Sequence, residues 1–145
     1  MCARTGTRKN ADYADKKQRP MLHEEITDKI IKCYYEVYNA LGYGFLEKVY
    51  ENAVVIKLRS EGFTCLQQCP VEVFFMGEVV GSYNADIIVN GKIIIEIKAG
   101  DSAHIPAHEY QLINYLKATE IEVGLLLYFG KNAVVKRKIF SNPNN

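Results

Sequence analysis

From Leu22 onward the apolar residues Ile26, Ile30, Cys33, Val37 and Leu41 recur at steps of three and four. That spacing puts them on one face and predicts an amphipathic helix. Gly42 and Gly44 stop it. A second helix is predicted over 45–61, with two neighbouring stripes. One holds Leu46, Val49, Ala53 and Ile56; the other holds Glu47, Tyr50, Val54 and Leu58. The second stripe sets a carboxylate in line with apolar side chains, so Glu47 is expected to point inward. Gly62 ends this helix.

Beyond Gly62 the period changes to two. Val71, Val73 and Phe75 alternate with Glu72 and Phe74, which predicts a strand over 71–75. Gly77 turns the chain into a second strand over 79–89, and Asn90-Gly91 is a strong hairpin signal. The third strand, 92–98, carries Ile93, Ile94, Ile95 and Ile97. An unbroken apolar run of this kind implies burial on both faces and a central position in a sheet. A third helix over 107–119, a strand over 123–129 and a last strand over 134–140 complete the order α-α-β-β-β-α-β-β. The implied fold class is α/β: one domain, 21–141, with a mixed central sheet flanked by helices. Residues 1–20 show no periodicity and read as a disordered basic tail, and 142–145 as a short end.

Composition narrows the field. A chain of 145 residues, 48% hydrophobic and 24% charged, suits one globular domain with a real core. No apolar run nears the roughly 18 residues that a membrane span needs, and the N-terminus lacks the apolar stretch of a secretory signal. A cytoplasmic protein with no membrane partner is expected. Cys2, Cys33, Cys65 and Cys69 match no zinc spacing and are read as reduced, mostly apolar side chains. The net charge is +1, but residues 1–20 hold six basic and two acidic side chains, a balance of +4, which leaves −3 for the remainder. The domain itself is therefore no basic glove for nucleic acid, although its leader can add phosphate affinity.

The chemistry lies in the third strand. Glu96 and Lys98 end a segment otherwise made of isoleucine, and at a separation of two they face the same side. Charges beside so much apolar surface are costly unless paired or bound to an ion. Asp86 lies on the partner strand. Two carboxylates and a lysine in one place suit a hard cation such as Mg²⁺, which needs only one or two protein carboxylates. The turn decides whether they meet. A two-residue turn pairs Val89 with Lys92 and leaves Asp86 and Glu96 on opposite faces. A three-residue loop pairs Ile88 with Lys92 and makes them diagonal neighbours on one face. The site requires the latter, or a bulge with the same effect.

These residues carry a family resemblance. Asp86, nine intervening residues, then Glu96-Ile97-Lys98 resembles the D…ExK core of the PD-(D/E)XK nuclease superfamily. Gly44-Phe45-Leu46-Glu47-Lys48-Val49-Tyr50 resembles the G-x-x-E-x-x-Y signature of the GxxExxY protein family within it. Gln111-Leu112-Ile113-Asn114-Tyr115 is similar to the Q-x-x-x-Y motif of RecB-like nucleases. The resemblance implies a restriction-endonuclease-like fold. It implies metal ligation by Asp86, Glu96, the carbonyl of Ile97 and Glu47, catalysis by Lys98 with Asp86 and Glu96, substrate contact by Gln111 and Tyr115, and a secondary role for Tyr50. Ala85 stands where the superfamily's proline would be, no histidine before Glu47 matches the RecB-like one, and the iron–sulfur cysteines are absent.

The expected function is hydrolysis of a phosphodiester, in DNA, with Mg²⁺ or Mn²⁺. The alternative is an inactive nuclease fold acting as a nucleic-acid-binding or accessory protein, with a homodimer or protein partner supplying basic surface. His104 and His108, four apart around Pro106, read as structural. So do the tyrosines 34, 35 and 38, while Lys136, Arg137 and Lys138 read as an edge-strand charge guard.

Overall fold

The structure, a computed structural model, describes residues 21–101 and 105–141. The leader 1–20, His104 and the end 142–145 lie outside the described residues. The elements are α1 (Glu24–Leu41), α2 (Glu47–Ser60), β1 (Cys65–Phe75), β2 (Glu78–Val89), β3 (Ile93–Ala99), α3 (Pro106–Lys117), β4 (Val123–Phe129) and β5 (Ala133–Ile139). The predicted order holds. The largest boundary error is at β1, which begins six residues before the expected Val71. Polar Gln67 and Gln68 and the donor-less Pro70 hid its first half, and an edge strand tolerates all three.

The sheet runs β1-β2-β3-β4-β5, antiparallel throughout except for the parallel pair β3–β4. Helices cover both faces. Ile93, Ile95 and Ile97 of β3, with Val123, Leu125, Leu127 and Phe129 of β4, pack against α1 and α2. Ile94, Leu126 and Tyr128 face Leu112, Tyr115 and Leu116 of α3. The isoleucine run is thus buried on both sides, as its lack of alternation required. The result is an α/β restriction-endonuclease-like architecture.

Two side-chain expectations change. On α2 the face turned inward carries Tyr50, Val54, Val55 and Leu58, whereas Leu46, Val49 and Ile56 are exposed and so is Glu47. The two stripes competed, and the sheet selected that of Tyr50, Val54 and Leu58; Glu47 belongs to the same stripe but is the first residue of α2 and stays exposed at its end. The thiols of Cys33 and Cys65 are free and buried, but Cys69 is disulfide-bonded, which corrects the reading of four reduced cysteines.

The aromatic and basic groups go to packing. The Tyr38 hydroxyl lies 2.6 and 2.8 Å from the carbonyl oxygens of Gly130 and Lys131, which share its one proton, and Tyr34 donates to the carbonyl of Tyr128. These bonds tie α1 to the β4–β5 turn. On edge strand β5, Lys138 pairs with Glu109 and Arg137 donates to the Leu22 carbonyl at 2.6 Å.

One contact sets how closely α3 lies on the sheet. A Cβ added at Gly124 would stand 2.6 Å from Leu112 Cδ1 and 2.9 Å from its Cγ. Leu112 is fully buried and has little room to retreat. Gly124→Ala is expected to cost about 1–3 kcal/mol, read as a lower midpoint in urea unfolding.

Candidate active site

The β2–β3 turn takes neither expected register. Asn90 and Gly91 both adopt left-handed backbone, φ 52° and 65°, and Lys92 N–H donates to the Val89 carbonyl at 2.9 Å. The ladder then pairs Val89 with Ile93, Ile88 with Ile94 and Ile87 with Ile95, so Lys92 is an extra residue on one side. Carried one step further, this register sets Asp86 opposite Glu96. Directly opposed residues share a face. The asparagine–glycine turn is present, but the bulge decides where the carboxylates go.

The regular ladder stops at that step because side chains replace it. Asp86 N–H donates to Glu96 Oε2 at 2.8 Å, and Ile97 N–H donates to Asp86 Oδ2 at 2.8 Å. Each carboxylate thus holds a backbone N–H of the other strand. The pair is fixed without either acid having to rely on water.

This arrangement is short of positive charge. Glu96 is 2% exposed. Burial, and then the Asp86 carboxylate beside it, push its pKa up to about 8. Burial raises Asp86 as well, against the opposing hydrogen bond from Ile97. Lys98 favours the ionised form of both acids. From α3, Tyr115 faces the same acids: burial first, then Glu96 and Asp86, push its hydroxyl up to about 12. His108 is held below the usual imidazole range by burial and by Lys98, while Glu47 opposes the shift. A histidine set aside in the sequence thus lies in the field of two site residues.

The G-x-x-E-x-x-Y segment has a clear local logic. Gly44 has φ 115°, a backbone that L side chains rarely adopt. It turns the chain between α1 and α2. Tyr50, fully buried and stacked on Phe129 at 4.1 Å, donates its hydroxyl to the Gly42 carbonyl at 2.7 Å and accepts from Phe45 N–H at 3.2 Å. It therefore clasps the loop from which α2 starts. Glu47, the first residue of α2, accepts from Ala99 N–H at 3.3 Å, just past Lys98. It opens onto a cleft of about 630 Å³ lined also by Tyr43, Phe45 and Asp101.

Glu47 does not meet the Asp86–Glu96 pair through any hydrogen bond found among the described residues. Glu51, one turn further, comes nearer. It is 4% exposed and accepts from Gln67 at 2.8 Å, from Gln68 at 3.0 Å and from Lys48 at 3.0 Å. Gln68 also donates to Asp86 Oδ1 at 3.3 Å. Sequence reasoning missed both Glu51 and Gln68. The signal for Glu51 was its position four residues after Glu47, on the same side of the helix. Gln68 gave none, because its strand was not recognised.

Gln111 and Tyr115 share a face of α3, as their spacing requires. Both line a groove of about 670 Å³ between α3 and the outer part of β1–β2, with Phe74, Tyr83, Tyr110 and Asn114. Tyr115 also lies in the field of the two acids.

Among the described residues no three His, Cys, Asp or Glu side chains form a ready-made ligand group. A magnesium-type ion does not need three, since it keeps several waters and takes one or two protein carboxylates. The donor set is hard oxygen, and a cation would relieve the repulsion that raises Glu96. The residues present fit such an ion.

A family model described as the PD-(D/E)XK nuclease superfamily matches residues 24–139. The chain belongs to that superfamily. Its fold also resembles a solved structure titled "Crystal structure of SSO0001", with a TM-score of 0.53 and 20% identity over 84% of this chain. The match spans 62% of that chain's length, so the likeness concerns the fold alone. No curated protein sequence matches. PD-(D/E)XK nucleases generally use divalent metals, which agrees with the oxygen-rich pair on β2 and β3. No helix among the described residues is long and apolar enough to cross a membrane.

Proposed function

We propose that the chain is a metal-dependent phosphodiesterase acting on DNA, a RecB-like member of the GxxExxY group, working with Mg²⁺ or Mn²⁺. The observation that carries this reading is the Asp86–Glu96 pair. Two carboxylates are locked across a bulged hairpin, one of them pushed to about 8, with Lys98 on the same strand. A purely structural pair would gain nothing from that crowding.

Asp86 and Glu96, with the carbonyl of Ile97, would hold the ion. When bound, it supplies Lewis acidity and lowers the pKa of water near the phosphorus. Lys98, two residues from Glu96 on the same strand, would steady charge developing on a phosphate oxygen. Glu47 extends the acidic surface toward the cleft. Tyr115 and Gln111, which line the groove beside α3, would contact substrate, and Tyr50 would act by holding the loop before Glu47. We place the protein in the cytoplasm.

Lys98→Ala is expected to lower cleavage by at least about 100-fold, measured on plasmid and single-stranded DNA with Mn²⁺. Clean wild-type protein that cuts nothing would overturn the reading; equal cutting by the variant would trace the activity to a contaminant.

One observation favours a second reading, an inactive nuclease fold acting as an accessory protein. The chain beyond residue 20 carries −3, and Lys138 and Arg137 are engaged within the molecule. Such a surface gives little counterion release on DNA. A homodimer or partner protein would then supply the basic face.

A further inference from the structure

Gln68 is the one β1 residue with a left-handed backbone, φ 54°. Glutamine pays about 1 kcal/mol or more for that conformation, and such outliers persist where the surroundings over-determine them. The break has a local consequence. The β1–β2 ladder pairs Gln67 with Ile87 and Cys69 with Ala85, but skips Gln68 and Asp86. On one side of the break Cys65 faces α1 and α2; on the other, Cys69 and Val71 face α3. The strand changes face at the level of Asp86.

The side chain uses that freedom. Gln68 Nε2 lies 3.0 Å from Glu51 Oε1 and 3.3 Å from Asp86 Oδ1. Glu51 is anchored independently by Gln67 and Lys48. One neutral amide therefore sits between two carboxylates and donates to both. Asp86 holds two bonds at once: Oδ1 to Gln68, and Oδ2 to Ile97 N–H at 2.8 Å. Its rotation is restrained from both ends.

We propose that Gln68 is a positioning residue, with Glu51 as its anchor: the left-handed break in β1 delivers an amide that fixes the orientation of Asp86. The assignment goes beyond the nuclease reading and rests on it only for the meaning of Asp86. The geometry stands whether or not the protein cuts DNA.

Gln68→Gly is the informative variant, because glycine accepts the left-handed backbone without strain while the side chain and its amide are removed. Hydrogen exchange at the Ile97 amide reads the orientation of Asp86 without metal or substrate. Exchange there is expected to accelerate about tenfold, the scale of one hydrogen bond to a charged group. Ile95, inside the regular ladder, should keep its protection and so reports that the fold is intact. Gln68→Asn, also tolerant of this backbone but too short to span both acids, should behave like the glycine variant. Mn²⁺ binding, followed by the signal of the free ion, should weaken about tenfold in both. Unchanged Ile97 exchange in a folded Gln68→Gly protein would overturn the proposal. Wild-type protein that neither binds Mn²⁺ nor cuts DNA, yet shows the exchange difference, would leave Gln68 assigned and remove the nuclease reading instead.

Discussion

Glu96→Gln is expected to abolish cleavage and, in the same molecule, to stabilise the metal-free protein at alkaline pH. The two effects share a cause. Glu96 is buried beside Asp86, and its pKa stands at about 8 against an ordinary 4.5. The folded state therefore holds this proton more tightly than the unfolded chain does. Its contribution to stability is fully present below about pH 4.5, declines through the interval, and is lost above about pH 8. A shift of this size corresponds to a few kcal/mol, to order of magnitude. Glutamine keeps an oxygen to accept the Asp86 N–H and removes the charge. In urea unfolding at pH 9 the variant should be the more stable by a few kcal/mol, and at pH 4 the two should nearly coincide. Added Mg²⁺ should narrow the gap at pH 9 by stabilising only the wild type. Equal stability at pH 9 without metal would show that Glu96 finds compensation elsewhere, and the argument for a cation would lose its footing.

Tyr50→Ala should be the most damaging change outside the acid pair. The ring is fully buried and stacked on Phe129, and its hydroxyl joins Gly42 and Phe45 across the loop that starts α2. Removal leaves a cavity between α2 and β4 and should cost about 3–5 kcal/mol. Tyr50→Phe separates the two roles. It keeps the packing but leaves the Gly42 carbonyl and the Phe45 N–H without this partner, and should cost about 1–3 kcal/mol. Because Glu47 follows that loop directly, Tyr50→Phe should also shift the placement of Glu47 at Ala99. A crystal structure of the variant with that contact unmoved, and full stability, would make the tyrosine ordinary core and detach it from the site.

Much of this molecule is legible along the chain because local physics decides it. The 3.6-residue period from Ile26 to Leu41, the alternation at 71–75 and the unbroken isoleucines of β3 each have one sensible structural reading. The motif pieces appear in the right order for the same reason: Glu96 and Lys98 must share a face at a separation of two, and Gln111 and Tyr115 at a separation of four.

What local physics left open was settled by packing between distant segments. Two stripes on α2 were equally periodic, and only the sheet beneath could choose Tyr50, Val54 and Leu58 over Leu46, Val49 and Ile56. The asparagine–glycine turn announced a hairpin but not its register, since one extra residue, Lys92, moves every pair by one step. The register in turn decides whether Asp86 meets Glu96 at all. Glu51 and Gln68 escaped notice because their meaning lies across 35 and 18 residues of chain from Asp86, in hydrogen bonds that exist only once α2, β1 and β2 are assembled. Periodicity reports which side of an element is apolar; it carries no information about which polar groups from separate elements converge where that apolar surface ends.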